Sequence, residues 1–104
     1  VKERQNEDVI ILAPNTVFDI RGHCIRKNDE CVELSTIEFK ILFLLATNLE
    51  SSFTAEELMD QLELSGLSTL YVHIQNLRRK IEVNPRNPMI LINHRGRGYT
   101  LQVV

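Results

Sequence analysis

The chain has 104 residues, 43% hydrophobic and 25% charged, with a formal net charge of −2, enough for one core and too short for two. No apolar run approaches the roughly 20 residues that a membrane helix needs, so the composition points away from a membrane protein. Residues 1–67 carry six Lys/Arg and thirteen Asp/Glu, whereas residues 68–104 carry six Lys/Arg and one Asp/Glu; this basic last third offsets the acidic total as an argument against a nucleic-acid partner, because attraction to phosphate depends on the face presented.

Val1–Asp8 is polar and charged. It reads as a linker or tail (1–8) ahead of one domain (9–104), not as a signal peptide, and a start at Val1 leads us to expect further chain before it. Four β-type runs follow, Val9–Leu12, Val17–Ile20, His23–Arg26 and Glu30–Leu34, punctuated by Pro14-Asn15, Arg21-Gly22 and Asn28-Asp29. Short strands with tight connections predict a four-stranded antiparallel N-terminal sheet. Cys24 and Cys31 fall within it and are expected to be reduced, partly buried strand residues of a cytoplasmic protein, since neither a secretory signal nor a dense cysteine pattern accompanies them.

Helical signals come next. Ser35-Thr36-Ile37-Glu38 fits a capping box, and Ile37, Ile41, Leu44 and Leu45 recur at helical spacing, with Phe39, Leu42 and Phe43 adding apolar bulk. Asn48–Ser52 is a break. Thr54-Ala55-Glu56-Glu57 opens a second, short helix to about Leu62. After Ser65-Gly66, Ser68–Val83 is the clearest helix, with Leu70, Ile74, Leu77 and Ile81 as its core stripe and Asn84-Pro85 as its stop. Met89–Asn93 and Tyr99–Val103 read as strands joined by His94-Arg95-Gly96-Arg97-Gly98, a terminal hairpin with a basic tip. The order predicts an α+β winged helix-turn-helix: four-stranded sheet, three helices and a C-terminal β-hairpin wing.

On a helical wheel, Ser68, Val72, Gln75, Asn76 and Arg79 lie opposite the core stripe, flanked by Thr69 and Tyr71. Gln and Asn can pair with an adenine edge, Arg with guanine or phosphate, and Val72 can meet a thymine methyl. Arg95 and Arg97 at the wing tip can reach a minor groove or its phosphates. Taken singly, each feature fits the solvated surface of an ordinary helix or turn better than a DNA contact; an exposed polar helix beside a wing that carries arginines favours a duplex. His73, beside the core stripe, either donates to a phosphate or packs at the helix edge. The spacing of His23, Cys24, Cys31 and His94 matches no common zinc pattern. Glu56-Glu57 is explained by helix capping, and no nucleophile–base pair, phosphate loop or dinucleotide fingerprint is present. No catalytic residue, metal or cofactor is therefore expected. A winged helix used for protein–protein contact is the competing reading.

Four segments, Leu34-Ser35-x-x-Glu38-Phe39-x-x-Leu42, Glu56-Glu57-Leu58, Thr69-Leu70-Tyr71-Val72-His73-Ile74-x-x-Leu77-Arg78-x-Lys80-Ile81 and Arg95-Gly96-x-Gly98-Tyr99, resemble the OmpR/PhoB family of response-regulator effector domains, in family order across almost the whole chain. The resemblance implies an N-terminal receiver domain in the full-length protein, head-to-tail homodimers on direct-repeat promoter DNA, and a loop able to contact RNA polymerase. It also implies recognition-helix contacts from Ser68, Thr69, Val72, His73, Gln75, Asn76 and Arg78, and wing contacts from Asn93 and Arg95. Departures from the family pattern are Ser68 where an arginine is frequent, Tyr71 where an acidic residue is common, Gln75 and Asn76 where basic residues are common, the lack of any Trp, and a shorter connection into the long helix. They mark a divergent member.

Overall fold

The computed structural model describes residues 8–49 and 51–103; most of the tail expected over 1–8 lies outside them. Strands β1 (Val9–Ala13), β2 (Thr16–Asp19), β3 (Cys24–Lys27) and β4 (Glu30–Glu33) form an antiparallel meander in sequence order. Each expected strand is found within about a residue of its expected bounds. The register lines Ile10, Phe18, Ile25 and Val32 into one row across the sheet, and because side chains alternate in a strand this row faces one way. Phe18 and Ile25 are fully buried. The β3–β4 turn has positive φ at both Asn28 and Asp29, the two-residue hairpin geometry that these side chains tolerate.

Helix α1 (Thr36–Ala46) and helix α2 (Ala55–Leu62) begin with the expected capping boxes: Ser35 with Glu38, and Thr54 with Glu57, exchange side-chain and backbone bonds. Helix α3 spans Leu67–Ile81 and buries Leu70, Ile74, Leu77 and Ile81. These pack with Ile41, Leu42 and Leu45 of α1 and Leu58 of α2 around one core shared with the sheet. Strands β5 (Leu91–His94) and β6 (Gly98–Leu101) form the wing hairpin. Phe53 extends the hairpin through paired backbone bonds, Phe53 N–H to the Tyr99 carbonyl at 3.0 Å and Tyr99 N–H to the Phe53 carbonyl at 2.7 Å. Gly98 makes this approach possible. It has φ +105, and a Cβ there would collide with the Phe53 carbonyl.

Four expectations shift. The last wing strand ends at Leu101 and not at Val103, since the Gln102 N–H turns to the Ile90 carbonyl at 2.7 Å, and Cys31 is exposed and not partly buried, because strand alternation pairs it with Arg26 on the outer face. The long helix ends at Ile81 and not at Val83, because Glu82 turns to extended backbone and puts its carboxylate to another use, described below. The first wing strand begins at Leu91 and not at Met89 for the same reason. Cys24 is buried and Cys31 exposed, both as free thiols. Burial pushes the Cys24 thiol up to about 11, with Cys31 beside it adding to the rise, which leaves it protonated at neutral pH. No described helix is long and apolar enough to cross a membrane, and among the described residues no three His, Cys, Asp or Glu side chains gather to hold a metal.

Candidate nucleic-acid interface

Helix α3 differs from the two before it at its start. Its N-cap is Gly66, which supplies no side-chain bond, so the first-turn N–H groups of the helix keep their dipole and hydrogen-bonding capacity for an anion. Beyond this end the outward face carries Ser68, Thr69, Val72 and Gln75, all exposed, with Asn76 half-buried beside them. Tyr71, Val72, Gln75, Asn76 and Arg79 line a shallow depression on that face. Among the described residues no segment of the chain packs over Val72, which is 57% exposed, or Tyr71, which is 47% exposed.

The three consecutive cations at the end of α3 point in three directions, as the 100° step between helical residues requires. Arg78 turns to the wing: its Nε and Nη2 donate to the Leu91 carbonyl at 3.2 and 3.0 Å. Arg79 stays on the exposed face, where its Nη1 donates to the Asn76 Oδ1 at 2.9 Å. Lys80 turns to the other side and binds the Glu38 carboxylate at 2.5 Å and the Glu33 carbonyl at 2.7 Å. Burial pushes the Glu38 carboxyl up, but hydrogen bonds from Lys80 and the Ser35 amide, with the charge of Lys80, more than offset it and hold Glu38 below the ordinary glutamate range. Of the recognition-helix residues expected to meet DNA, Ser68, Thr69, Val72, Gln75 and Arg79 are open to solvent and share one side with the half-buried Asn76. His73 is half-buried on the flank toward Lys80. Arg78 already serves as an intramolecular anchor.

The wing is built for a projecting tip. Arg97 N–H closes back on the His94 carbonyl at 2.9 Å, and Gly96 has φ +82 with nothing within 4 Å of a Cβ placed on it. A left-handed glycine at the third position of such a turn is the type II pattern. Asn93, Arg95 and Arg97 are exposed. Arg97 lies over a cleft lined also by Leu49, Ser52, His94 and Thr100, to one side of the tip.

What joins helix and wing is Glu82, which sequence reasoning missed. Its side chain is buried at 2% exposure. Its carboxylate accepts from three consecutive backbone amides: Met89 at 2.7 Å, Ile90 at 3.1 and 3.0 Å, and Leu91 at 2.7 Å. The Lys27 Nζ donates to the Glu82 carbonyl at 3.2 Å from β3. The residue directly after α3 therefore fixes the start of β5, and Arg78 fixes the carbonyl of the same Leu91. Burial pushes the Tyr99 phenol up, with the Tyr71 phenol adding to the rise and the Arg78 charge opposing it. One signal for Glu82 was available in the sequence: it is the lone carboxylate of residues 68–104.

This geometry has counterparts. The chain is similar to the DNA-binding response regulator MtrA of Mycobacterium tuberculosis, with 30% identity over 103 residues that cover 92% of this chain and 45% of that protein; it spans less than half the length of the curated relatives it matches. Its fold is similar to that of the Thermotoga maritima response regulator DrrB, an OmpR/PhoB homologue, at a TM-score of 0.81 and 23% identity over 97% of this chain and 47% of that one. It also resembles the DNA-binding domain of the response regulator AdeR, crystallised in complex with an intercistronic region, at a TM-score of 0.65 and 27% identity over 91% of this chain and 93% of that one. Residues 28–101, from the β3–β4 turn to the last wing residue, match the family model described as transcriptional regulatory protein, C terminal. With the four-stranded sheet, the three helices and the wing in that order, the chain belongs to this family of C-terminal regulatory domains, of the OmpR/PhoB type.

Proposed function

We propose that the chain binds double-stranded DNA sequence-specifically, as the output domain of a response-regulator-type transcription factor. One observation carries the reading most: an uncovered, polar outer face of α3 is clamped through Glu82 and Arg78 to a hairpin that projects Arg95 and Arg97. Helix α3 lies in the major groove with Ser68, Thr69, Val72, Gln75 and Asn76 toward base edges. Its Gly66 end and Arg79 meet phosphates, and His73 meets the backbone from the flank. The wing residues Asn93, Arg95 and Arg97 reach the adjacent minor groove and its phosphates. Phosphate contacts position the domain and base edges supply the sequence information. No bond is made or broken, so the protein acts by differential binding and not as an enzyme.

The family and the length of the relatives support three further elements of this reading. The domain, residues 9–104, follows a receiver domain in a longer cytoplasmic protein; two copies bind direct repeats as a homodimer; and RNA polymerase is a candidate partner on the promoter. Arg78 is assigned to holding the wing and not to a base. The test is titration of the protein against random duplex and duplex enriched from a random pool, at two salt concentrations. With about four to six phosphate contacts, log affinity should fall with log salt at a slope of about −4 to −5 on both, and the enriched duplex should bind more tightly at each. Equal affinity for the two duplexes would overturn specific recognition, and a slope near zero would overturn DNA binding altogether. A winged helix that serves protein–protein contact predicts the second result.

A further inference from the structure

Resting on that reading, we infer that the major-groove face of α3 is built for A·T base pairs, with a thymine methyl against Val72 and an adenine edge on Gln75, and that the preferred site is A·T-rich where the helix sits. The argument begins with what the helix lacks. From Leu67 to Leu77, the first three turns, α3 contains no Lys, Arg, Asp or Glu. Helices of this class present their N-terminal part to base edges. Guanine is read chiefly by Arg or Lys on its O6 and N7, and the cytosine amino group by Asp or Glu. Neither reader is present where the bases would be.

The cations that follow do not supply it. Arg78 is half-buried with two nitrogens on the Leu91 carbonyl, and Lys80 is held between Glu38 and Glu33. Arg79 is exposed, but it is the thirteenth of fifteen residues in α3, at the end that leaves the groove and meets the backbone.

What the face does carry matches the A·T pair. Val72 offers two methyl groups at 57% exposure, free to make the apolar contact by which a thymine methyl is read. The depression it shares with Tyr71, Gln75, Asn76 and Arg79 gives a projecting methyl a seat. Gln75 has a full amide for the adenine N6 and N7, whereas the Asn76 oxygen already holds Arg79. At the wing, Arg95 and Arg97 favour the same composition, because runs of A·T narrow the minor groove and deepen the negative potential that draws arginine into it.

The experiment uses duplexes enriched from a random pool by the purified chain, then the tightest of them resynthesised with deoxyuridine in place of thymine, which removes only the 5-methyl group. Enrichment should give A·T pairs at the positions protected in the major groove by the helix. The uracil duplex should bind about four-fold more weakly per lost contact, the equivalent of one buried methylene-sized group. Val72→Ala, an exposed position whose change leaves the core intact, should bind thymine and uracil duplexes within two-fold of each other. Enrichment of G·C at those positions, or an equal thymine-to-uracil loss in wild type and Val72→Ala, would overturn the assignment while leaving DNA binding in place. Failure to enrich any duplex would instead remove the reading on which it rests.

Discussion

Replacing Glu82 by Gln changes one atom and isolates the clamp between helix and wing. In the native protein Oε1 receives the Met89 and Ile90 amides and Oε2 receives the Ile90 and Leu91 amides. A glutamine has one acceptor oxygen, and its NH2 group must face either Met89 N–H or Leu91 N–H, donor against donor. One amide is then unsatisfied, either the part-buried Met89 N–H or the buried Leu91 N–H, at about 1–3 kcal/mol, and the bonds that survive lose the extra strength of a charged acceptor, roughly 1 kcal/mol each. The sum is about 3–5 kcal/mol, a large part of the 5–15 kcal/mol typical of a small domain. At a denaturant slope of about 1.5 kcal/mol/M the urea midpoint should fall by about 2–3 M. Amide exchange at Met89, Ile90 and Leu91 should accelerate more than at Leu42 or Ile74 in the core, and under folding conditions discrimination between enriched and random duplex should shrink, because the wing no longer sits at a fixed angle to α3. An unchanged urea midpoint together with unchanged exchange at those three amides would refute the clamp.

Gly98→Ala should cost more than about 2 kcal/mol, a fall in Tm of at least about 8 °C, because φ is +105 and the Cβ meets Phe53 backbone; Gly96→Ala, with φ +82 but open space around it, should cost only about 1 kcal/mol. Glu38 and Asp19 are both held below their ordinary range, Asp19 mainly by the Gly22 amide and then, against burial, by Arg26. The unfolded chain therefore takes up protons first, so their contribution is fully present only above the ordinary values, 4.5 for Glu38 and 3.8 for Asp19, and is lost as pH falls from there through the lower folded-state values; urea midpoints measured from pH 6 downward should show this loss, and Glu38→Gln should flatten it. Arg95→Ala should weaken binding to all duplexes and reduce the salt slope by about one unit, and an unchanged slope would remove Arg95 from the phosphate contacts.

Much of the fold was legible because local chemistry and global packing agree. Ser35 with Glu38 and Thr54 with Glu57 announce two helix starts by side-chain spacing alone, and the Leu70–Ile74–Leu77–Ile81 stripe announces the third helix by its period. Turn residues at Asn28-Asp29 and Gly96 sit where left-handed backbone is required. The boundaries that moved are those set by contacts distant in sequence. Nothing local distinguishes Glu82 from one more helical residue; its departure from the helix is decided by three amides seven to nine positions later. Phe53 likewise reads as loop until β6 comes alongside it.

The candidate site was legible in the same uneven way. The wheel separated inward from outward residues correctly, since that depends only on helical geometry. It could not tell which outward cations have partners. Arg78, Arg79 and Lys80 look alike as a basic cluster at the end of a recognition helix, yet Arg78 is bound to Leu91, Lys80 to Glu38 and Glu33, and only Arg79 remains on the open face. A positive run read from sequence therefore overstates the charge that α3 can offer to DNA. On the proposed DNA-binding reading, the wing and the Gly66 end of α3 would carry a larger share of the phosphate contacts, and the first three turns, which lack Lys, Arg, Asp and Glu, would be left to read bases. Both consequences follow from one cause: the basic residues nearest the helix end hold the helix against its sheet, its neighbouring helix and its wing.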